Sequence, residues 1–374
     1  SGVVGAADAP VVLSSYGEGR ATIDGGDGSG FVLKGCEYVT VKELRIVGNG
    51  RKSENDGYGV RIEGGTHNAI DSIDASGFRR AGVSTGGDES TRITNVRVHH
   101  NGIAGISVRG GGDLPFTRDL NIGHSLAHDN PGDPTNTNNH SGTGIVVGGV
   151  KGGLIEYCEA YNNGWDMPRE GNGPVGIWGY FCDRLVIQHN VAHHNKTSKG
   201  AHDGGGFDLD GGATNSILQY NLSYATHGTG VLLCQYPGAA PWRNNICRYN
   251  ISIDDGRTGH FSGIYFWAGG EGISDALIYN NLIVNARHAI ASTHDIPGLI
   301  FRNNILVSDD ADILGPLPEA RFEGYLYLAR QDSPFVAQPE RHFETLEEWA
   351  AATGQETVDG RLVGRVADPR IVLP

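Results

Sequence analysis

The chain has 374 residues, 58 of them glycine, roughly twice the ~7% average. Its 29 Lys and Arg stand against 43 Asp and Glu, a net charge of −14, which disfavours nucleic acid and anionic membranes as partners because both demand a basic patch. No Gly-X-Y period and no apolar run of about 18 residues occurs, which excludes a collagen and a membrane-spanning helix, and one methionine with no leucine heptads argues against a helical bundle.

The sequence opens Ser1-Gly2 with no initiator methionine, so a removed upstream export segment is expected, and with it a secreted or periplasmic location. Strand-like sequence begins almost at once, at Pro10–Tyr16. From residue 59 onward a glycine leads an alternating apolar run again and again. It appears as Gly59-Val-Arg-Ile-Glu63, Gly82-Val-Ser-Thr-Gly86, Gly105-Ile-Ser-Val-Arg109 and Gly144-Ile-Val-Val-Gly148. It continues as Gly176-Ile-Trp-Gly-Tyr180, Gly206-Phe-Asp-Leu-Asp210, Gly230-Val-Leu-Leu-Cys234 and Gly263-Ile-Tyr-Phe-Trp267, and fades at Ala289-Ile-Ala-Ser-Thr293. Alternation marks each run as a short strand, and its leading glycine as a tight corner where no Cβ fits. Between the copies runs a second motif ending in asparagine: Val186-Ile-Gln-His-Asn190, Ile217-Leu-Gln-Tyr-Asn221, Ile246-Cys-Arg-Tyr-Asn250, Leu277-Ile-Tyr-Asn-Asn281 and Ile300-Phe-Arg-Asn-Asn304. Each unit therefore holds at least two short strands and a polar turn, and cannot bury its apolar face alone. Stacked units build one continuous core, with asparagines forming a ladder along one turn.

The xIxxN and glycine-led motifs resemble the right-handed parallel β-helix of the pectin-lyase-like superfamily over residues 10–310. The expected fold is all-β: a single-stranded right-handed parallel β-helix over residues 1–308, with a C-terminal capping segment at 309–374. Thr345-Leu-Glu-Glu348 is a capping box, and it opens one helix at about 345–353 that ends at Gly354. The five cysteines form no CxxC pair and read as buried thiols.

Function is expected on outward positions and loops. Alternation makes the outward columns of the glycine-led strands Arg61, Ser84, Ser107, Val146, Trp178, Asp208, Leu232, Tyr265, Ala291 and Glu63, Gly86, Arg109, Gly148, Tyr180, Asp210, Cys234, Trp267, Thr293. Asp208 and Asp210, at i and i+2, point the same way with Cα atoms ~6.5–7 Å apart. Like charges that close raise one pKa and leave an acid beside a base, the arrangement of inverting glycoside hydrolysis. Asp203 stands just before them, and His227, in Ala225-Thr-His-Gly-Thr-Gly230, follows on the next coil. Those aspartates and the Thr-His-Gly segment resemble the polygalacturonase site, which implies Asp203, Asp208 and Asp210 as an acid–base set tuned by His227. The paired adjacent aspartates and Arg-Ile-Lys segment of that family are missing. Trp178, Tyr180, Tyr265 and Trp267 are candidate sugar platforms, because aromatic faces desolvate the C–H face of a sugar ring. His140 and His202 are candidate polar contacts, and His260 lies on a loop of the same edge.

The leading expectation is a glycoside hydrolase acting on a polysaccharide or oligosaccharide and requiring no cofactor. The alternative is a polysaccharide lyase or C5-epimerase on a uronic-acid polymer. For that chemistry Asp-Gly-Gly-Gly-Phe-Asp-Leu resembles the calcium site of pectate lyases, with Asp203, Asp208 and Asp210 as Ca²⁺ ligands and Lys199, Arg109 or Arg287 reaching in as base. A third reading is a non-catalytic glycan-binding or adhesin-like β-helix.

Overall fold

The computed structural model describes residues 1–371 except Ser53, residues 259–261, Ala286, Pro318, residues 330–334 and Glu340; His260 thus lies outside the described residues. Two compact units, residues 1–204 and 205–374, divide the chain. Each is built from parallel ladders, and each coil sends one strand to each of three sheets.

In the first unit the glycine-led strands Val60–Thr66, Ala81–Gly86, Ala104–Arg109, Thr143–Gly148 and Val175–Tyr180 stack in one sheet. The register follows the alternation: Arg61 pairs with Ser84, Ser84 with Ser107, Ser107 with Val146, and Val146 with Trp178. The apolar residue after each glycine (Val60, Val83, Ile106, Ile145, Ile177) is fully buried, and each such side chain contributes about 1.5–3 kcal/mol. The leading glycines are required by room rather than by backbone angle. Gly144, whose φ is not positive, would place a Cβ 2.5 Å from the Gly176 carbonyl oxygen and 2.9 Å from Ala160 Cβ.

The second unit repeats the scheme. Gly205–Leu209, Val231–Gln235, Ile264–Ala268 and Ile290–Ser292 stack with Phe207, Val231, Ile264 and Ile290 inward. Parallel pairing continues past residue 308: Ile290 pairs with Ile313, Ile300 with Arg321, and Ile305 with Leu326. The helix follows at Leu346–Thr353. Thr345 accepts from the Glu348 amide at 3.2 Å, and Gly354 closes the far end at φ 75°. Its Trp349 packs edge-on against Phe322 with ring centroids 5.3 Å apart, which seats the helix on the last coil. We expect Thr345→Ala to lower stability by about 1 kcal/mol in urea denaturation; an unchanged midpoint would show that Trp349 alone holds the helix.

Asparagine ladders run through both units. In the second, Asn221 Nδ2 donates to Asn250 Oδ1 (3.0 Å), Asn250 to Asn281 (3.0 Å), and Asn281 to Asn304 (2.9 Å). The residue before each (Tyr220, Tyr249, Asn280, Asn303) sits at φ between 50° and 55°. The asparagine side chain satisfies the backbone groups that such a left-handed turn leaves over. The first unit holds a ladder at a different turn, Asn101–Asn130–Asn163–Asn195, with amide contacts of 2.9–3.1 Å. Outside it, His99, His128, Tyr161 and His193 stack ring on ring at 4.9–5.1 Å. All five cysteines are free and buried, and burial pushes the thiols of Cys158, Cys182 and Cys247 up to about 12. No helix of the described residues is long and apolar enough to cross a membrane.

Candidate active site

The acidic strand belongs to the second unit. Gly206 lets it pass close to the neighbouring coil, since a Cβ there would stand 2.2 Å from Ser223 Oγ. Asp208 pairs in register with Leu232, and Leu232 with Tyr265. Cys234 pairs with Trp267. Two strand spacings therefore separate the aspartates from the aromatic residues, about 9.5 Å. Tyr265 and Trp267 are half-buried, and Trp267 meets the His294 ring edge-on at 6.2 Å.

The two aspartates differ. Asp208 is buried, at 2% exposure, whereas Asp210 keeps part of its surface open. Asp210 accepts from the Gly211 amide at 2.6 Å, and its desolvated surroundings push its carboxyl above the ordinary value despite hydrogen bonds from Cys234 and that amide. Tyr236 roofs the adjoining turn: a Cβ on Gly211 would lie 2.4 Å from its ring. The result is one carboxyl biased toward its protonated form beside a second on the same face of the strand.

His227 is half-buried. Its carbonyl accepts from the Thr258 amide (2.9 Å) and hydroxyl (3.1 Å). A calcium ion needs a cage of hard oxygen donors. Asp210 offers instead a carboxyl biased against charge and bonded to a thiol, and among the described residues no three His, Cys, Asp or Glu side chains are grouped to hold a metal. No step below passes through a metal ion.

The remaining sequence candidates lie on the first unit. Asp203, at φ 60°, accepts from the Gly173 amide at 2.8 Å and so braces the loop before the acidic strand. His202 is exposed, and its backbone amide donates to the Gly171 carbonyl at 2.6 Å. Outward is not open on this face. Trp178 is only 4% exposed and packs with Ala81, Ala104, Val146 and Val175, so the sheet does not offer its indole as an open platform. The loops that interrupt the repeat, which alternation does not describe, carry the covering residues. One of them brings His140 edge-on to Trp178 at 4.9 Å.

Tyr180 and His140 instead line a cleft of about 230 Å³ with Tyr58, Arg80, Arg109, Asn136 and Asn139. Desolvation lowers the His140 imidazole to about 4, so it is neutral at pH 7 and acts through hydrogen bonds rather than charge. Neither Asn136 nor Asn139 stands out in the sequence, because their loop carries no periodicity.

The model of the right handed beta helix region matches residues 133–308. The chain has the right-handed parallel β-helix fold. A GH136 lacto-N-biosidase from Eubacterium ramulus superposes with a TM-score of 0.58 at 17% identity, covering 80% of this chain and 56% of that one. A periplasmic alginate epimerase superposes at 0.58 and 14% identity over 82% of this chain and 73% of its own. These likenesses establish the β-helical fold. In sequence, the chain is 31% identical over 140 residues to a lacto-N-biosidase of Bifidobacterium longum subsp. longum. That stretch is 37% of this chain and 8% of the relative, so the chain spans a small part of that protein and just over half of the Eubacterium enzyme.

Proposed function

We propose that this β-helix is a glycan-cleaving enzyme, a glycoside hydrolase whose acid–base pair is Asp210 and Asp208. The observation that carries the reading is the second unit's acidic strand, where two carboxyls share a face and burial favours the protonated form of one. Asp210 is the general acid that protonates the glycosidic oxygen, and Asp208 is the carboxylate that activates water. Their Cα atoms stand ~6.5–7 Å apart along the strand, and carboxyls held on one face at about that separation leave room for the attacking water of an inverting reaction. Tyr265 and Trp267, about 9.5 Å along the same face, would stack on a neighbouring sugar. The similarity to lacto-N-biosidase over 140 residues supports an oligosaccharide or polysaccharide substrate, met outside the cytoplasm if the chain is exported. Asp203 and His227 have no step here; their backbone and carboxylate contacts shape loops.

Digestion of a glycan panel read by mass spectrometry tests this. Hydrolysis adds one water per cleavage, elimination adds none, and epimerisation leaves the chain intact. Products without added water would replace the proposal with lyase chemistry. Because an acid–base pair of aspartates needs no metal, EDTA-treated protein is expected to keep its rate; loss of activity restored by Ca²⁺ would overturn that expectation.

A further inference from the structure

The cleft of the first unit has a charge character opposite to that of the whole chain. Among its lining residues are two arginines and no carboxylate, in a protein of net charge −14. Arg80 is held by Asp56, through Nε at 2.6 Å and Nη2 at 3.3 Å, but Arg79 also binds Asp56, at 3.0 Å. One negative charge thus serves two guanidiniums. Asp133, whose field also reaches Arg80, is turned to the Thr135 amide and hydroxyl at 2.9 and 2.8 Å. Arg109 is exposed and has no carboxylate partner among the described residues.

The register builds the floor beside it. Arg109 pairs with Gly148, and Gly148 with Tyr180. The Tyr180 ring lies across Gly148, where a Cβ would come within 2.2 Å of it, so an aromatic wall reaches back toward the Arg109 guanidinium. On the other side stands His140. Its Nδ1 is buried without a hydrogen-bond partner, and orphaned buried polar atoms call for an explanation.

We propose that this cleft binds an acidic sugar residue, with Arg109 gripping its carboxylate or sulfate oxygens, Tyr180 facing the ring and His140 Nδ1 bonding a hydroxyl. A guanidinium fork matches either oxyanion bidentately. The sugar half of this inference rests on the glycan-acting reading above; the anionic half rests on the cleft alone.

The full chain is titrated with glucuronic acid, glucose 6-sulfate and glucose, with binding read by NMR. At least one acidic sugar is expected to bind tenfold or more tighter than glucose, and Arg109→Gln to abolish that preference without changing the melting temperature. Preference for glucuronic acid alone identifies a carboxylate site, and for glucose 6-sulfate alone a sulfate site. Equal binding of all three, no binding, or undiminished preference in Arg109→Gln overturns the proposal. Repeating the titration in Asp210→Asn separates the two readings, since loss of cleavage there leaves acidic-sugar binding intact.

Discussion

Asp210→Asn is expected to lower turnover at least ~10²-fold, the low end of what a positioned acid contributes. Asparagine keeps the size of the side chain and can still accept the Gly211 amide, but it has no proton to give. Asp208→Asn is expected to lose as much, because the water then lacks its base. The pH profile separates the roles. Burial raises the Asp210 carboxyl, so wild-type activity should fall on the alkaline side as that proton is lost. The alkaline limb should disappear from the residual activity of Asp210→Asn and persist in that of Asp208→Asn. Asp203→Asn serves as the comparison. Its carboxylate braces the Gly173 amide, so the variant should lose stability before chemistry. Near-wild-type turnover in both Asp208→Asn and Asp210→Asn would remove the acid–base pair from this strand.

The register was legible because it obeys a strict period of two. Columns read from alternation alone, such as Ser84–Ser107–Val146–Trp178 and Leu232–Tyr265–Ala291, recur as backbone partners. The asparagine ladder was legible for the same reason, since a coil's repeat fixes which side chains meet. The Asn101–Asn130–Asn163–Asn195 ladder carried a signal too: each asparagine follows a buried Val or Ala by three positions. What covers the outward face was not legible. Trp178 and Asp208 occupy outward positions, as alternation requires, and are both buried, because accessibility there depends on aperiodic loops. The same gap hid Asn136 and Asn139 in the cleft. The leading glycines were legible as corners with no room for a Cβ: at Gly144 and Gly206 a Cβ would stand 2.5 and 2.2 Å from the next coil.

Asp312→Asn is expected to stabilise the protein at neutral pH and leave it little changed at pH 4. Asp312 is fully buried and accepts from Ser308 Oγ at 2.7 Å, while its second oxygen has no partner. Desolvation lifts its carboxyl to about 7 from 3.8. A second buried aspartate, Asp255, is lifted to about 6 although Thr226 and Ser252 donate to it. Between pH 4 and 7 the native state thus holds protons that the unfolded chain has released. Stability from these groups is complete below the unfolded value and is lost as pH rises through about 6 and 7. For Asp312, three units correspond to about 4 kcal/mol. His140 works in the opposite sense: lowered to about 4, it gives stability that grows up to about pH 6.5 and offsets part of that loss in the wild type. The comparison that isolates Asp312 is the difference between variant and wild type in denaturant titrations at pH 4 and pH 8. That difference should grow by about 4 kcal/mol in favour of asparagine. A difference constant with pH would mean that the Asp312 carboxyl ionises as readily in the fold as in the open chain.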